Sequence, residues 1–320
     1  MGKEHSYKIG VDIGGTTIKI GVFNEEYEIL KKGSVQTPAE NLPDSMFDCI
    51  SDAVHEFMDE LGIVPEKCKG IGVGCPGVVD SGKGNVRYSN NIKMENVALV
   101  KELQQRLSCP VFINNDANCA ALGEQVAGVA KGCHDIVMFT LGTGVGGGII
   151  LDGKIFEGGH AGGAEIGHIL NGDEGRICTC GRRDCLESYA SATALIGEAL
   201  KAAKENPEGK LWELCGKQEA GMNARIVFDA ADAGDAQAQS IVENYIKHLS
   251  DGILDIVNIF RPDAIVLGGG ISAQGERLTV PVEKYLREYS FGKEKVKIPK
   301  ILIAQNGNDA GIIGAAALVK

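Results

Sequence analysis

The sequence predicts an α/β protein of two sheet-and-helix domains with a cleft between them. Three observations carry this reading. Apolar strands and amphipathic helices alternate along the chain with no low-complexity or proline-rich joint, a glycine turn between two apolar strands occurs twice, and 320 residues give room for about two domains.

Period-two apolar alternation predicts strands at residues 7–13, 17–23 and 27–36, followed by an amphipathic helix from Pro43 to Leu61. The run "GIGVGCPG" reads as a strand, Asn96 to Leu107 as a helix, "VFINND" as a strand, and Ala117 to about Gly128 as a helix again. After the second glycine hairpin the chain is largely helical from Ser188 onward. A long helical stretch from Asp235 to Phe260 is expected to break at Gly252. The last strand, "KILIAQ", leads into "NDAGIIGAAALV", a helix of small residues able to pack closely on a sheet. The expected division is residues 1–115 plus 306–320 as an N-terminal α/β domain and 116–305 as a C-terminal α/β domain with a metal loop.

In "VDIGGTTIKIGVF" an aspartate and two glycines stand between two apolar runs. The Walker loop and the dinucleotide fingerprint both open a helix, whereas Ile18, Ile20 and Val22 continue as a strand. Such a hairpin has no helix dipole for a phosphate. It offers backbone N–H groups and the Thr16 or Thr17 hydroxyl, and Asp12 is placed to hold a Mg²⁺ counter-ion. A lone hairpin would be an ordinary glycine turn, but "MFTLGTGVGGGIILDGKIF" repeats it around Gly142, Thr143 and Gly144, and "AIVLGGGIS" adds a third glycine cluster after a strand. Two related halves facing a nucleotide are the expectation.

Composition narrows the field. A net charge of −11 argues against a nucleic-acid surface, which needs clustered Lys and Arg. No apolar run is long enough to span a bilayer, and the N-terminus lacks a signal-peptide core. Met1, Gly2 and Ser6 match the myristoylation pattern, a short pattern that recurs by chance. Ten irregularly spaced cysteines point to a reducing compartment, with Cys75, Cys109 and Cys119 reading as buried thiols.

"VFINNDANCAALGEQ" ends a strand on Asn114, Asn115 and Asp116 just before a helix. Either Asp116 or Asn115 is a good helix N-cap. The alternative role is a general base at the carboxyl end of a strand, with Asn115 hydrogen-bonding the same acceptor. Phosphoryl transfer to a hydroxyl asks for such a carboxylate, and the paired glycine hairpins favour this role for Asp116.

"GGHAGGAEIGHILNGDEGRICTCGRRDCLESYAS" holds His168, Cys178, Cys180 and Cys185, three thiols and an imidazole suited to a closed tetrahedral Zn²⁺ site. With no open position, its work is to fold a loop poor in apolar residues. A metal that orders the segment also fixes Glu165 and Glu187, carboxylates suited to sugar hydroxyls.

At these residues the sequence resembles the ROK family of sugar kinases and regulators, over essentially the whole chain: "DIGGTTIK", "NNDAN", "LGTGVGGGII", "GAEIGH", "CTCGRRDCLE" and "IVLGGGIS". "GAEIGH" and "CTCG…CLE" are specific to that family, while the glycine loops are shared with the wider actin, Hsp70 and hexokinase superfamily. The resemblance implies a two-domain actin-like/ribonuclease H-like fold of the hexokinase type and an ATP-dependent hexose kinase with Mg²⁺ and a structural Zn²⁺. It implies Asp116 as the base toward the sugar 6-hydroxyl, with Asn115, Glu165, His168 and Glu187 as sugar ligands and Gly77 in the sugar-contacting loop. His168 would use one ring nitrogen for zinc and the other for the sugar. Asp12, Gly14, Gly15, Thr16, Thr143 and Gly144 match the phosphate loops, and Gly269 and Gly270 lie near the nucleoside. The family's glycine before the last cysteine is Asp184 here, a departure expected to alter the loop turn. Repressors of the family carry a helix-turn-helix ahead of the first hairpin, which here begins about ten residues in, so no such domain is expected. A non-catalytic sugar sensor would not need Asp116 together with both phosphate loops, so a kinase is expected. Glucose is the expected substrate. N-acetylmannosamine, N-acetylglucosamine, mannose, allose or fructose, and polyphosphate as donor, stay open. A cytoplasmic, glycolytic homo-oligomer, dimer or tetramer, is the remaining implication.

Overall fold

The computed structural model describes residues 6–40 and 42–320; the Met1–Gly2 start of the acylation pattern lies outside the described residues. Two compact units are present, residues 1–136, 148–164 and 305–320 in the first and 137–147 and 165–304 in the second.

The first unit is built on β1 (Tyr7–Ile13), β2 (Thr17–Phe23) and β3 (Ile29–Gln36), then α1 (Asp44–Glu60), β4 (Cys68–Cys75), the meander β5 (Val78–Asp80), β6 (Asn85–Ser89), β7 (Met94–Val97), α2 (Leu99–Arg106), β8 (Val111–Asn115) and α3 (Asp116–Ala127). The sheet order is β3-β2-β1-β4-β8. β1, β2 and β3 pair antiparallel, whereas β4 and β8 join parallel, so β1, β4 and β8 end on the same side. Alternation puts Ile9, Val11, Ile13, Ile18, Ile20 and Val22 in the core, against the Phe47, Ile50, Val54 and Met58 stripe of α1. The expected helix from Asn96 begins three residues later, because Asn96 belongs to β7, which pairs with β6.

A second sheet, β11-β10-β9-β12-β13, is formed by β9 (Ile136–Leu141), β10 (Val145–Leu151), β11 (Lys154–Ile155), β12 (Ala264–Gly268) and β13 (Lys300–Ile303). The helices of the second unit are α4 (Glu187–Ala190), α5 (Ala192–Glu205), α6 (Lys210–Leu214), α7 (Ala224–Asp232), α8 (Ala236–Phe260) and α9 (Glu276–Tyr289); α10 (Ala310–Ala317) returns to the first unit. α8 packs against α4, α5, α7 and α9. It runs unbroken through Gly252, contrary to the expected break. A Cβ on Gly252 would lie 2.7 Å from Leu186 Cδ2, so this glycine makes room for a neighbour rather than ending the helix.

The division between units also differs from the expected one at residue 116. α3 stays with the first sheet because it meets α10 backbone to backbone. A Cβ on Gly314 would come 1.6 Å from the Cys119 carbonyl oxygen, and one on Gly123 would come 2.3 Å from that of Ala310. α10 itself lies on the sheet at Gly10 and Gly72, where a Cβ would approach the Ile312 and Ala315 carbonyl oxygens to 1.9 and 1.7 Å. The small-residue helix thus clamps β1, β4 and α3 into one body.

Candidate active site

The first unit gathers Asp12, Gly77, Asn115 and Asp116 at the carboxyl ends of β1, β4 and β8. Register places Asp12 beside Gly74, Gly74 beside Asn114, and Cys75 beside Asn115. Burial raises the pKa of Asp12 to about 6, against the opposing pull of Lys19 and with help from the charge of Asp116. Lys19 Nζ stands 3.9 Å from its carboxylate, which also packs against the first turn of α10 at Gly311. Burial likewise raises the pKa of Asp116, opposed by the Ala117 N–H. Below these acids the Cys75 and Cys119 thiols are buried and pushed up, by burial first and then by the two carboxylates.

The open choice of helix cap is decided for Asn115. Its Oδ1 accepts from Ala117 N at 2.9 Å and Asn118 N at 3.2 Å, and its Nδ2 donates to the Gly77 carbonyl at 3.1 Å. Asp116 is therefore the first residue of α3 rather than its cap. Gly77 has φ +104°, and a Cβ there would come 2.2 Å from the Tyr88 carbonyl oxygen, so the loop after β4 needs glycine at that point.

In the first hairpin Gly14 N donates to the Thr17 carbonyl at 3.0 Å, and Thr37 Oγ1 donates to the Gly14 carbonyl at 2.7 Å. Gly15 and Thr16 are left exposed at the tip.

In the second unit, His168, Cys178, Cys180 and Cys185 present ligand atoms that all lie within 4.8 Å of one another. His168 Nδ1 is 3.5 Å from Cys178 Sγ, and the Cys180 and Cys185 sulfurs are 3.7 Å apart. A tetrahedral ion with bonds of ~2.3 Å needs sulfurs ~3.8 Å apart, so the Cys180–Cys185 separation suits zinc, and three thiols with an imidazole are a zinc donor set. Because Nδ1 belongs to this cluster, Nε2 is the ring nitrogen left for a second partner. His168 N donates to the Glu165 carbonyl at 3.0 Å in the single turn of helix that joins them. Glu187 ties the metal loop to the second hairpin: Oε1 accepts from Thr179 Oγ1 at 2.8 Å and Oε2 from Val145 N at 3.0 Å, beside Gly144. Thr143 is exposed, its carbonyl held by Thr193 Oγ1 at 2.8 Å.

Asp184 keeps the turn that a glycine would make. It adopts φ +62°, and its carboxylate accepts from Arg176 N at 2.9 Å and from the Tyr189 hydroxyl at 2.5 Å. Tyr189 in turn stacks on His248 and lies under the Arg176 guanidinium. These bonds offset the cost of a left-handed aspartate.

Gly269 has φ +82°, and a Cβ on it would meet the Leu141 carbonyl oxygen at 2.5 Å; Gly270 faces open space. Beside them is a cavity of about 670 Å³ lined by Ile196, Asn223, Arg225, Gly270, Ile271 and Gln274. The lining residues outside the glycine cluster carry no motif, so only the packing of α5 and α7 reveals them.

Residues 8–320 match the ROK family. The chain belongs to the ROK family. Within it, the glucokinase of Thermotoga maritima is 36% identical over 313 residues, 98% of this chain and 96% of that protein. The crystal structure of a ROK glucokinase from Streptomyces griseus in complex with glucose and AMPPNP is 36% identical, with a TM-score of 0.80 over 98% of this chain and 99% of that one. A xylose repressor of Caldicellulosiruptor bescii is 30% identical over 97% of this chain and 77% of its own length. The mixed α/β architecture is the two-domain actin-like fold of ROK sugar kinases. Among the described residues no helix is long and apolar enough to cross a membrane.

Proposed function

We propose that this chain is an ATP-dependent glucokinase, making glucose 6-phosphate and ADP with Mg²⁺. The observation that carries the reading is Asp116, a half-buried carboxylate with raised pKa at the carboxyl end of a parallel strand, relieved of capping by Asn115, in a chain that matches glucokinases along nearly its full length. Asp116 takes the proton of the sugar 6-hydroxyl as that oxygen bonds to the γ-phosphorus. The bond from phosphorus to the β–γ bridging oxygen breaks, and ADP departs with the electron pair. The raised pKa makes Asp116 a stronger base than a solvated aspartate.

Asp12 holds Mg²⁺, which neutralises phosphate charge, and the N–H groups and hydroxyls of Gly15, Thr16, Thr143 and Gly144 cradle the phosphates, while Gly14, its own N–H held by the Thr17 carbonyl, shapes the first turn. The nucleoside takes the cavity beside Gly269 and Gly270. Glu165, His168 through Nε2, and Glu187 hold sugar hydroxyls, with the second Nδ2 hydrogen of Asn115 and the Gly77 loop. A zinc ion on His168, Cys178, Cys180 and Cys185 is structural, since four protein ligands leave no position for water.

The test is ADP release from Mg²⁺-ATP across glucose, mannose, allose, fructose, N-acetylglucosamine and N-acetylmannosamine. Preferred turnover of glucose is expected. Preference for an N-acetylated sugar would reassign the substrate, and no turnover on any sugar by the folded, zinc-loaded protein would overturn the kinase reading.

A further inference from the structure

Glu157 follows β11 and belongs to none of the motifs above. Its carboxylate accepts Ser81 Oγ at both oxygens, at 2.7 and 2.8 Å, and Asn114 Nδ2 at 2.7 Å. Asn114, 4% exposed near the end of β8, accepts through its Oδ1 from Asn115 N at 2.8 Å and from Asn118 Nδ2 at 3.0 Å. An ionised carboxylate can only accept. Glu157 therefore compels the Asn114 amide to turn its NH₂ outward and its oxygen toward the turn. With that amide reversed, two donors would face an NH₂ group and Glu157 would face an oxygen, three contacts mismatched in a half-buried network. The two residues that Asn114 holds flank the strand-to-helix turn from which Asp116 projects, and Asn115 continues the chain of bonds to the Gly77 carbonyl.

We propose that Glu157 is a positioning residue. By fixing the Asn114 amide it locks the β8–α3 turn and so the aim of the Asp116 carboxylate at the attacking hydroxyl. The inference rests on Asp116 being the base, as proposed above. A reacting group misplaced by about 1 Å can cost on the order of a hundredfold in rate, so a turn held by one amide has leverage on kcat without touching the sugar or the nucleotide.

The test is a set of kinetic variants of the zinc-loaded protein, in wild-type and Asp116→Asn backgrounds. Glu157→Ala is expected to lower kcat about 10- to 30-fold while the KM for ATP stays within about twofold. Glu157→Gln, whose Oε1 still accepts from Asn114, loses about threefold or less. Asn114→Asp sets two carboxylates face to face and loses as much as Glu157→Ala. Combining it with Glu157→Gln recovers most of the rate, because the glutamine Nε2 then donates to the new carboxylate. In the Asp116→Asn background, Glu157→Ala changes the residual rate by less than about twofold, since no base remains to be aimed. Wild-type kcat in Glu157→Ala, or an equal loss in both backgrounds, would overturn the positioning role while leaving Asp116 as base. Full turnover by Asp116→Asn would instead overturn the base and this inference with it. Should Glu157→Ala not fold, the size-conserving pair decides alone: no recovery in Asn114→Asp with Glu157→Gln overturns the proposal.

Discussion

Asp12, next to last in β1, and Asp116, just past the end of β8, stand at the carboxyl ends of two parallel strands that flank β4, and the charge of Asp116 helps push the pKa of Asp12 to about 6. Two carboxylates at one half-buried sheet edge resist joint ionisation. A divalent cation relieves that repulsion, which is the physical reason for assigning Mg²⁺ to this edge.

Competition between the proton and the cation at Asp12 gives a pH dependence. Metal binding needs the carboxylate, and protonation removes it as pH falls through about 6. The expected outcome is that kcat/KM for Mg²⁺-ATP, measured from pH 5 to 8, is level above 7 and falls about tenfold per pH unit on the acid side. A profile level down to pH 4.5 would contradict the assignment.

The same shift destabilises the apo fold. Asp12 binds its proton more tightly when folded, about 6 against 3.8 for the free side chain, so the penalty is absent below the lower value, grows between the two and is complete above the upper one. Asp12→Asn is expected to stabilise the apo protein at pH 7 by about 2–3 kcal/mol and to leave it unchanged near pH 3, at the cost of activity. Denaturant melts at the two pH values would check the sign.

Asp116→Asn should lower turnover by about two to four orders of magnitude with glucose binding retained. Calorimetric titration of glucose beside ADP release separates the two; near-normal turnover would remove Asp116 from the chemistry.

The metal loop should hold one zinc per chain by elemental analysis. Cys180→Ser, at the exposed ligand, is expected to weaken zinc retention against a colorimetric chelator and to lower the melting temperature. Asp184→Ala should release zinc faster than Asp184→Asn. Asparagine tolerates the left-handed backbone and can still accept from Tyr189 and Arg176 N, whereas alanine loses both bonds.

Gly314→Ala probes the helix clamp. Its Cβ would collide with the Cys119 carbonyl, rigid backbone that cannot swing aside. A loss of about 3 kcal/mol or more is expected, with Gly252→Ala milder because it meets the movable end of Leu186. Equal, small losses in chemical denaturation would refute the close packing.

What the sequence by itself determined was local. Period-two and helical spacing marked most elements, the two glycine hairpins announced themselves by repetition, and the metal cluster was legible because three of its four ligands lie within Cys178–Cys185. Asp116 stood out because a strand ended on it. Only the tertiary structure decided matters that hang on distant partners. Asn115 rather than Asp116 caps α3, because the backbone geometry at the turn presents its oxygen to two N–H groups. Gly252 leaves α8 intact, and α3 joins the first unit, because Leu186 and α10 come from elsewhere in the chain to meet them. Glu157 reaches Asn114 across 43 residues. No periodicity encodes such a bond, since it exists only once folding has brought two separate stretches of backbone within hydrogen-bonding distance.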